Sequence, residues 1–204
     1  LLAPSDALSA LLPLARVAAY HGMWGALSQL LLKLTSPGVP DIYQGTELWD
    51  DSLVDPDNRR PVDFVRRVGL LAEGGWDTHR PKLHLLARGL ALRAQRPELF
   101  ASGRYHPLAV EGPRAINVVA FGRVRDEQVA ITVVSRRLGR ELAAAAAPVL
   151  GQEAWQDTTV TLPHSWSVLG FRNQLREDPV QIEDGRLALA PLLGPLPVAL
   201  LATG

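Results

Sequence analysis

The sequence predicts an α+β fold in two parts: the end of an α/β unit over residues 1–97 and an all-β antiparallel domain over 98–204. Three observations carry this. Apolar residues recur at three-to-four spacing as far as Gln95 and not beyond it. One short apolar run, 39–44, breaks into the helical pattern and is followed by a long polar segment. After Pro97 only short β-rich runs remain, separated by Gly, Pro and Asp.

Leu8, Leu11, Leu12, Ala15, Ala18 and Ala19, then Leu27, Leu30, Leu31 and Leu34, place residues 6–34 in a mostly helical run with Asp6 as N-cap. Pro13 is expected to kink or split it, and the Gly22–Gly25 region to interrupt it again. Ser36-Pro37-Gly38 stops it. Val39 to Gln44 reads as a buried strand with Pro40 near its start, ending at Gly45. Residues 44–63 are polar, rich in Asp and Arg, and without period. Loops of that length in a packed domain are commonly functional. Short helices are expected at 64–72 and at 81–95, the latter with Pro81 in its first turn and Leu83, Leu86, Leu90 and Ala94 on one face.

Residues 115–121 and 128–134 are rich in β-formers and read as a hairpin around Arg123–Glu127. Runs at 158–162, 180–182, 186–190 and 197–201 complete the strand pattern, and Ala143–Ala147 fits a helix or a loop equally. A single strand between helices leaves its hydrogen-bonding groups unpaired, so the first part requires strands beyond those in this sequence. The β part is expected to be able to fold by itself.

Composition narrows the function. Lys plus Arg and Asp plus Glu are each 21, a net charge of zero with no basic stripe, which argues against a nucleic-acid or membrane-surface binder. No apolar stretch is long enough to span a bilayer. Cysteine is absent, so thiol chemistry is excluded and a reducing, cytoplasmic setting is expected. The five histidines are scattered without ligand spacing, and neither metal nor cofactor is expected. The sequence starts at Leu1 and its one methionine is Met23, so upstream sequence is expected, on this or another chain.

The stretch Ser36-Pro-Gly-Val-Pro-Asp-Ile-Tyr-Gln-Gly-Thr-Glu-Leu48 resembles the last barrel strand of the α-amylase superfamily, glycoside hydrolase family 13. Its continuation, Trp49-Asp-Asp-Ser-Leu-Val-Asp-Pro-Asp-Asn-Arg-Arg-Pro-Val-Asp63, resembles the maltooligosyl trehalose synthase family within it. Phe100, Gly103, Tyr105 and Pro107-Leu108, with Ala120-Phe121-x-Arg123, are similar to the C-terminal region of that family. The resemblance implies the last strand and helices of a (β/α)8 barrel followed by a C-terminal β-sandwich. It implies an isomerase of trehalose biosynthesis, acting on a maltooligosaccharide substrate by intramolecular transglycosylation. The reducing-end α-1,4 link would become an α,α-1,1 link through an Asp nucleophile and a Glu acid.

The family pattern is incomplete here. The superfamily's His-Asp pair does not occur, and Gly170-Phe171-Arg172-Asn173-Gln174 imitates the nucleophile motif with a Gln where an Asp is needed. No catalytic residue is therefore assigned, and the missing N-terminal part of the barrel is the expected partner. Candidate substrate-binding residues are Tyr43, Gln44, Glu47, Trp49, Asp57, Asn58, Arg59 and Arg60. Amide, carboxylate and guanidinium groups match sugar hydroxyls, and an indole face can stack on a ring. The bland alternatives are that Glu47 pairs with an Arg to hold the loop, that the Asp and Arg residues brace it, and that Tyr43 and Trp49 pack. The doublets Arg66-Arg67 and Arg136-Arg137 read as solvated charge. Rival functions are another α-glucan hydrolase or transglycosylase, which the 49–63 loop disfavours, and a non-catalytic glucan-binding module.

Overall fold

A computed structural model describes residues 6–50, 60–74, 76, 80–138 and 151–204. Helix α1 (Asp6–Thr35) runs for 30 residues. Tyr20, Trp24, Leu27, Leu31 and Leu34 are buried at alternating steps of four and three, which is the core stripe of a helix. Helix α2 (Phe64–Glu73) is capped by Asp63, whose Oδ1 accepts from the Arg66 N–H at 2.8 Å. Helix α3 (Pro81–Gln95) and helix α4 (Pro97–Ser102) are separated only by Arg96, each with a proline in its first turn.

Strands β1 (Arg104–Pro107), β3 (Val118–Arg125), β4 (Gln128–Ser135), β6 (Phe171–Asn173) and β8 (Val198–Thr203) form an antiparallel sheet in the order β1-β3-β4-β8-β6. Strands β2 (Val110–Glu111), β5 (Thr159–Thr161) and β7 (Arg186–Ala188) form a second antiparallel sheet, β2-β5-β7. Two short helices, α5 (His164–Ser167) and α6 (Leu189–Leu193), lie in the connections.

The larger sheet is covered on both faces. On β4, Val129, Ile131 and Val133 face one core while Ala130 and Val134 face the other. On β8, Ala199 and Leu201 alternate in the same way with Val198, Leu200 and Ala202. Both strands are thus mainly apolar on both faces, with Thr132 the one polar residue between Val129 and Val134, because neither of their faces meets water. The first core lies against the smaller sheet and includes Val160, Trp166, Leu187 and Leu193. The second lies against the helices and includes Leu27, Leu31, Leu34, Leu85, Leu99 and Phe100. The result is a helix layer, a five-stranded sheet and a three-stranded sheet.

Several expectations need correction. The strand expected at 39–44 is irregular chain that enters a turn at Gln44, more exposed than buried and without a ladder partner among the described residues, and a strand exists only through such a partner. Pro13 does not divide α1; it removes one donor from a long ladder, a local cost of about 3 kcal/mol that the helix absorbs. Gly22 and Gly25 do not interrupt it either, since buried Tyr20, Trp24 and Leu27 hold that stretch in place. Residues 115–117 are a 3-10 turn preceding β3, which continues to Arg125, so the hairpin turn is only Asp126-Glu127. Residues 180–182 form no strand. The Val180 N–H donates to Phe171 O at 3.0 Å, but the neighbouring Pro179 has no N–H to extend a ladder. Ala143–Ala147 lies outside the described residues. No described helix is long and apolar enough to cross a membrane.

Candidate functional site

The candidate loop leaves the C-terminus of α1, where the last carbonyls have no partner within the helix. Two arginines take them. Arg93 on α3 donates through Nη1 to Leu34 O at 2.7 Å and through Nη2 to Gly38 O at 3.1 Å. Arg123 on β3 donates through Nη1 to Thr35 O at 3.2 Å and through Nη2 to Phe100 O at 3.0 Å and Gly103 O at 2.7 Å. Arg123 is 1% exposed. Burial depresses both guanidinium pKa values, and the Arg93 charge depresses that of Arg123 further.

Beyond Gly38 the loop is held through its backbone. Lys33 Nζ donates to Asp41 O at 3.0 Å, and Lys82 Nζ to Leu48 O at 3.0 Å. The Thr46 N–H and hydroxyl both donate to Tyr43 O, at 3.2 and 2.6 Å. Gly45 sits at φ +92°, and a Cβ there would also press on Val62 at 3.3 Å, so the turn needs glycine. Arg67 on α2 closes the structure. Its Nε donates to Glu47 Oε2 at 2.7 Å, Nη2 to Gly45 O at 2.8 Å and Nη1 to Asp63 O at 3.0 Å.

These contacts place the expected site residues unequally. Tyr43 and Gln44 are exposed. Tyr43 lines a cavity of 470 Å³ between α1, the loop and α3, together with Gln29, Lys33, Asp41, Thr46 and Lys82. Such a wall offers ammonium, amide and hydroxyl donors beside carboxylate acceptors, the mixture that polyol ligands require. Glu47 is paired with Arg67 as a loop brace. Trp49 is half-buried against the helix-side core. Arg60 is exposed. Asp57, Asn58 and Arg59 lie outside the described residues. A larger cavity of 610 Å³, rimmed by the Arg176–Asp178 ion pair at 2.6 Å, is in the β part and takes in none of the expected residues.

Sequence reasoning missed the loop's holders: Lys33, Arg67, Lys82, Arg93 and Arg123. Arg67 is a brace and not solvated charge. Its loop partners Glu47 and Gly45 are 20 and 22 residues away in sequence, beyond any local signal. For Arg123 a signal was present: in β3 it shares a face with Phe121, so a charge at that position is an inward one.

The fold is shared with α-amylase-type enzymes. The structure of an Anoxybacillus α-amylase matches it with a TM-score of 0.53 at 19% identity, over 88% of this chain and 32% of that one. A stronger likeness is to maltooligosyl trehalose synthases, to which the chain is homologous over most of its length. The solved synthase of Arthrobacter ramosus matches with a TM-score of 0.73 at 37% identity, over 97% of this chain and 24% of that one. A protein named "Putative maltooligosyl trehalose synthase" in Mycobacterium tuberculosis is 44% identical over 185 residues. The aligned part is 89% of this chain and 21% of the relative, so the chain spans about a fifth of the relatives it matches. No family model matches.

Proposed function

We propose that this chain is the C-terminal part of a transglycosylase that converts the reducing-end α-1,4 linkage of a maltooligosaccharide to an α,α-1,1 linkage, in trehalose biosynthesis in the cytoplasm. Residues 1–97 supply the end of the catalytic barrel and 98–204 the C-terminal β domain. The likeness to the Arthrobacter ramosus synthase over 97% of the chain carries this reading.

In the proposed reaction a carboxylate attacks the anomeric carbon while a carboxylic acid protonates the departing glucose oxygen. The glucose turns in place, its anomeric hydroxyl attacks the glycosyl-enzyme, and the deprotonated acid takes that proton. Both carboxyl groups belong to the part of the barrel outside this chain. The chain's own task is to wall the glucose subsite: Tyr43, Gln44 and Trp49 from the loop, with Asp57, Asn58, Arg59 and Arg60 following, and Glu47 holding the loop through Arg67. The test joins this chain to the remaining three quarters of a synthase and follows maltopentaose. A non-reducing, trehalose-terminated product is expected from the complete enzyme; reducing sugar alone would reject the reading.

A further inference from the structure

Arg93 and Arg123 form an unusual pair. Neither has a carboxylate partner among the described residues, every hydrogen bond shown for them goes to a carbonyl, and they repel each other. The Arg123 Nε is buried without a partner among the described residues. The Arg93 guanidinium carbon lies 5.1 Å from the ring centroid of Phe100, whose carbonyl accepts from Arg123. Burying cations without counter-charge is costly, and water or a glycine cap could finish a helix at less expense. What the arrangement adds is direction. Two planar forks, from α3 and from β3, grip the successive carbonyls of Leu34 and Thr35, and Arg93 reaches on to Gly38, where the chain turns at φ +112°.

We propose that Arg93 and Arg123 are positioning residues for the substrate loop, through which the β domain and α3 set the place of Tyr43 and Gln44. The proposal rests on the transglycosylase reading. It deepens that reading by assigning the β domain a part in the partition of the reaction: a loop held firmly at its root keeps the released glucose in place for re-attack, while a loosened root lets it escape and water enter.

The experiment uses the complete enzyme with Arg93→Gln, in which the changed side chain is only half-buried, and Arg123→Lys, which keeps the charge but loses the fork. Val160→Ala, in the opposite core, is the control for general destabilisation. Hydrogen exchange of residues 36–50 and of β8 is measured beside the ratio of free glucose to trehalose-terminated product. Both arginine variants should speed exchange in 36–50 by about tenfold, with β8 unchanged in Arg93→Gln, and raise the glucose fraction severalfold. Val160→Ala should lower the melting temperature and leave the ratio at the wild-type value. Unchanged exchange in 36–50 for Arg93→Gln overturns the anchor, and faster exchange with an unchanged product ratio overturns its part in the reaction. A wild-type enzyme that forms no trehalose-terminated product rejects the functional reading instead, and exchange alone then decides the anchor.

Discussion

Glu47 and Arg67 join the two ends of the polar loop: the Glu47 carboxylate accepts from Arg67 Nε at 2.7 Å, and the same guanidinium donates to Gly45 O near the start of the loop and to Asp63 O at its end. Their side chains are 18% and 15% exposed, so solvent screens the pair only partly. Glu47→Gln and Arg67→Gln should each weaken the same contact, and the double variant should be little worse than either. A double-mutant cycle on activity in the complete enzyme should give a coupling of about 1 kcal/mol or more. Additive effects would mean that Glu47 acts on sugar independently of Arg67.

Arg60 is a separate test of the loop. It is exposed, and its fork suits vicinal hydroxyls. Arg60→Ala should lower activity of the complete enzyme about tenfold and raise free glucose relative to non-reducing product. Wild-type rates with an unchanged product ratio would leave the residue as scaffold.

Expressed alone, the chain should neither rearrange nor hydrolyse maltooligosaccharides, because the proposed acid and nucleophile lie elsewhere. Chromatography of the sugars after incubation with the purified chain checks this, and any trehalose-terminated product would contradict it.

The two parts should not separate cleanly. Leu27, Leu31, Leu34, Leu85 and Leu92 lie in one core with Ala130, Val134, Val198, Leu200 and Ala202 of the sheet. On their outer sides α1 and α2 expose Leu11, Leu14, Val65 and Val68. A 1–97 fragment would therefore expose apolar surface on every side, and calorimetry should show no cooperative transition for it. The 98–204 fragment should melt well below the whole chain, having lost the cover of one face.

Gly122 tests the first core. A Cβ at that position would come within 2.5 Å of the Trp166 ring, which is itself buried. Gly122→Ala should destabilise by about 1–3 kcal/mol, read as a lower melting temperature. An unchanged melting temperature would show that the ring can move aside.

Helices and the central hairpin were legible because their signals are local. The spacing of Leu83 and Leu86 reports α3, although Leu90 and Ala94, expected on the same face, are exposed and Leu85, Gly89 and Leu92 are buried instead, and Val129 to Val134 reports a strand covered on both faces. The segment 39–44 reads as a strand because its residue types suit one, yet strand formation depends on a neighbour that its own residues do not specify. Strand β1, Arg-Tyr-His-Pro, is exposed throughout and carries no alternation to detect. For the candidate site, the polarity of the loop is read from its residue types, but its supports were not legible. Lys82 and Arg93 meet it from one helix, α3, at 34 and 55–59 residues' separation, a relation that only the tertiary fold creates.

Strand β8 occupies an inner position in the five-stranded sheet, between β4 and β6, although it follows both in sequence. Its pairing of Val198 with Val134 and Ala202 with Ala130 closes loops of more than sixty residues. Until that closure the β3–β4 hairpin has an open edge, and neither the helices nor the smaller sheet has a finished surface to settle on. Such long-range contacts slow folding and prolong the life of species with unpaired edges. Folding speed and recovery from denaturant should accordingly be governed by when β8 docks, and the waiting hairpin is where chains would associate with one another if it docks late.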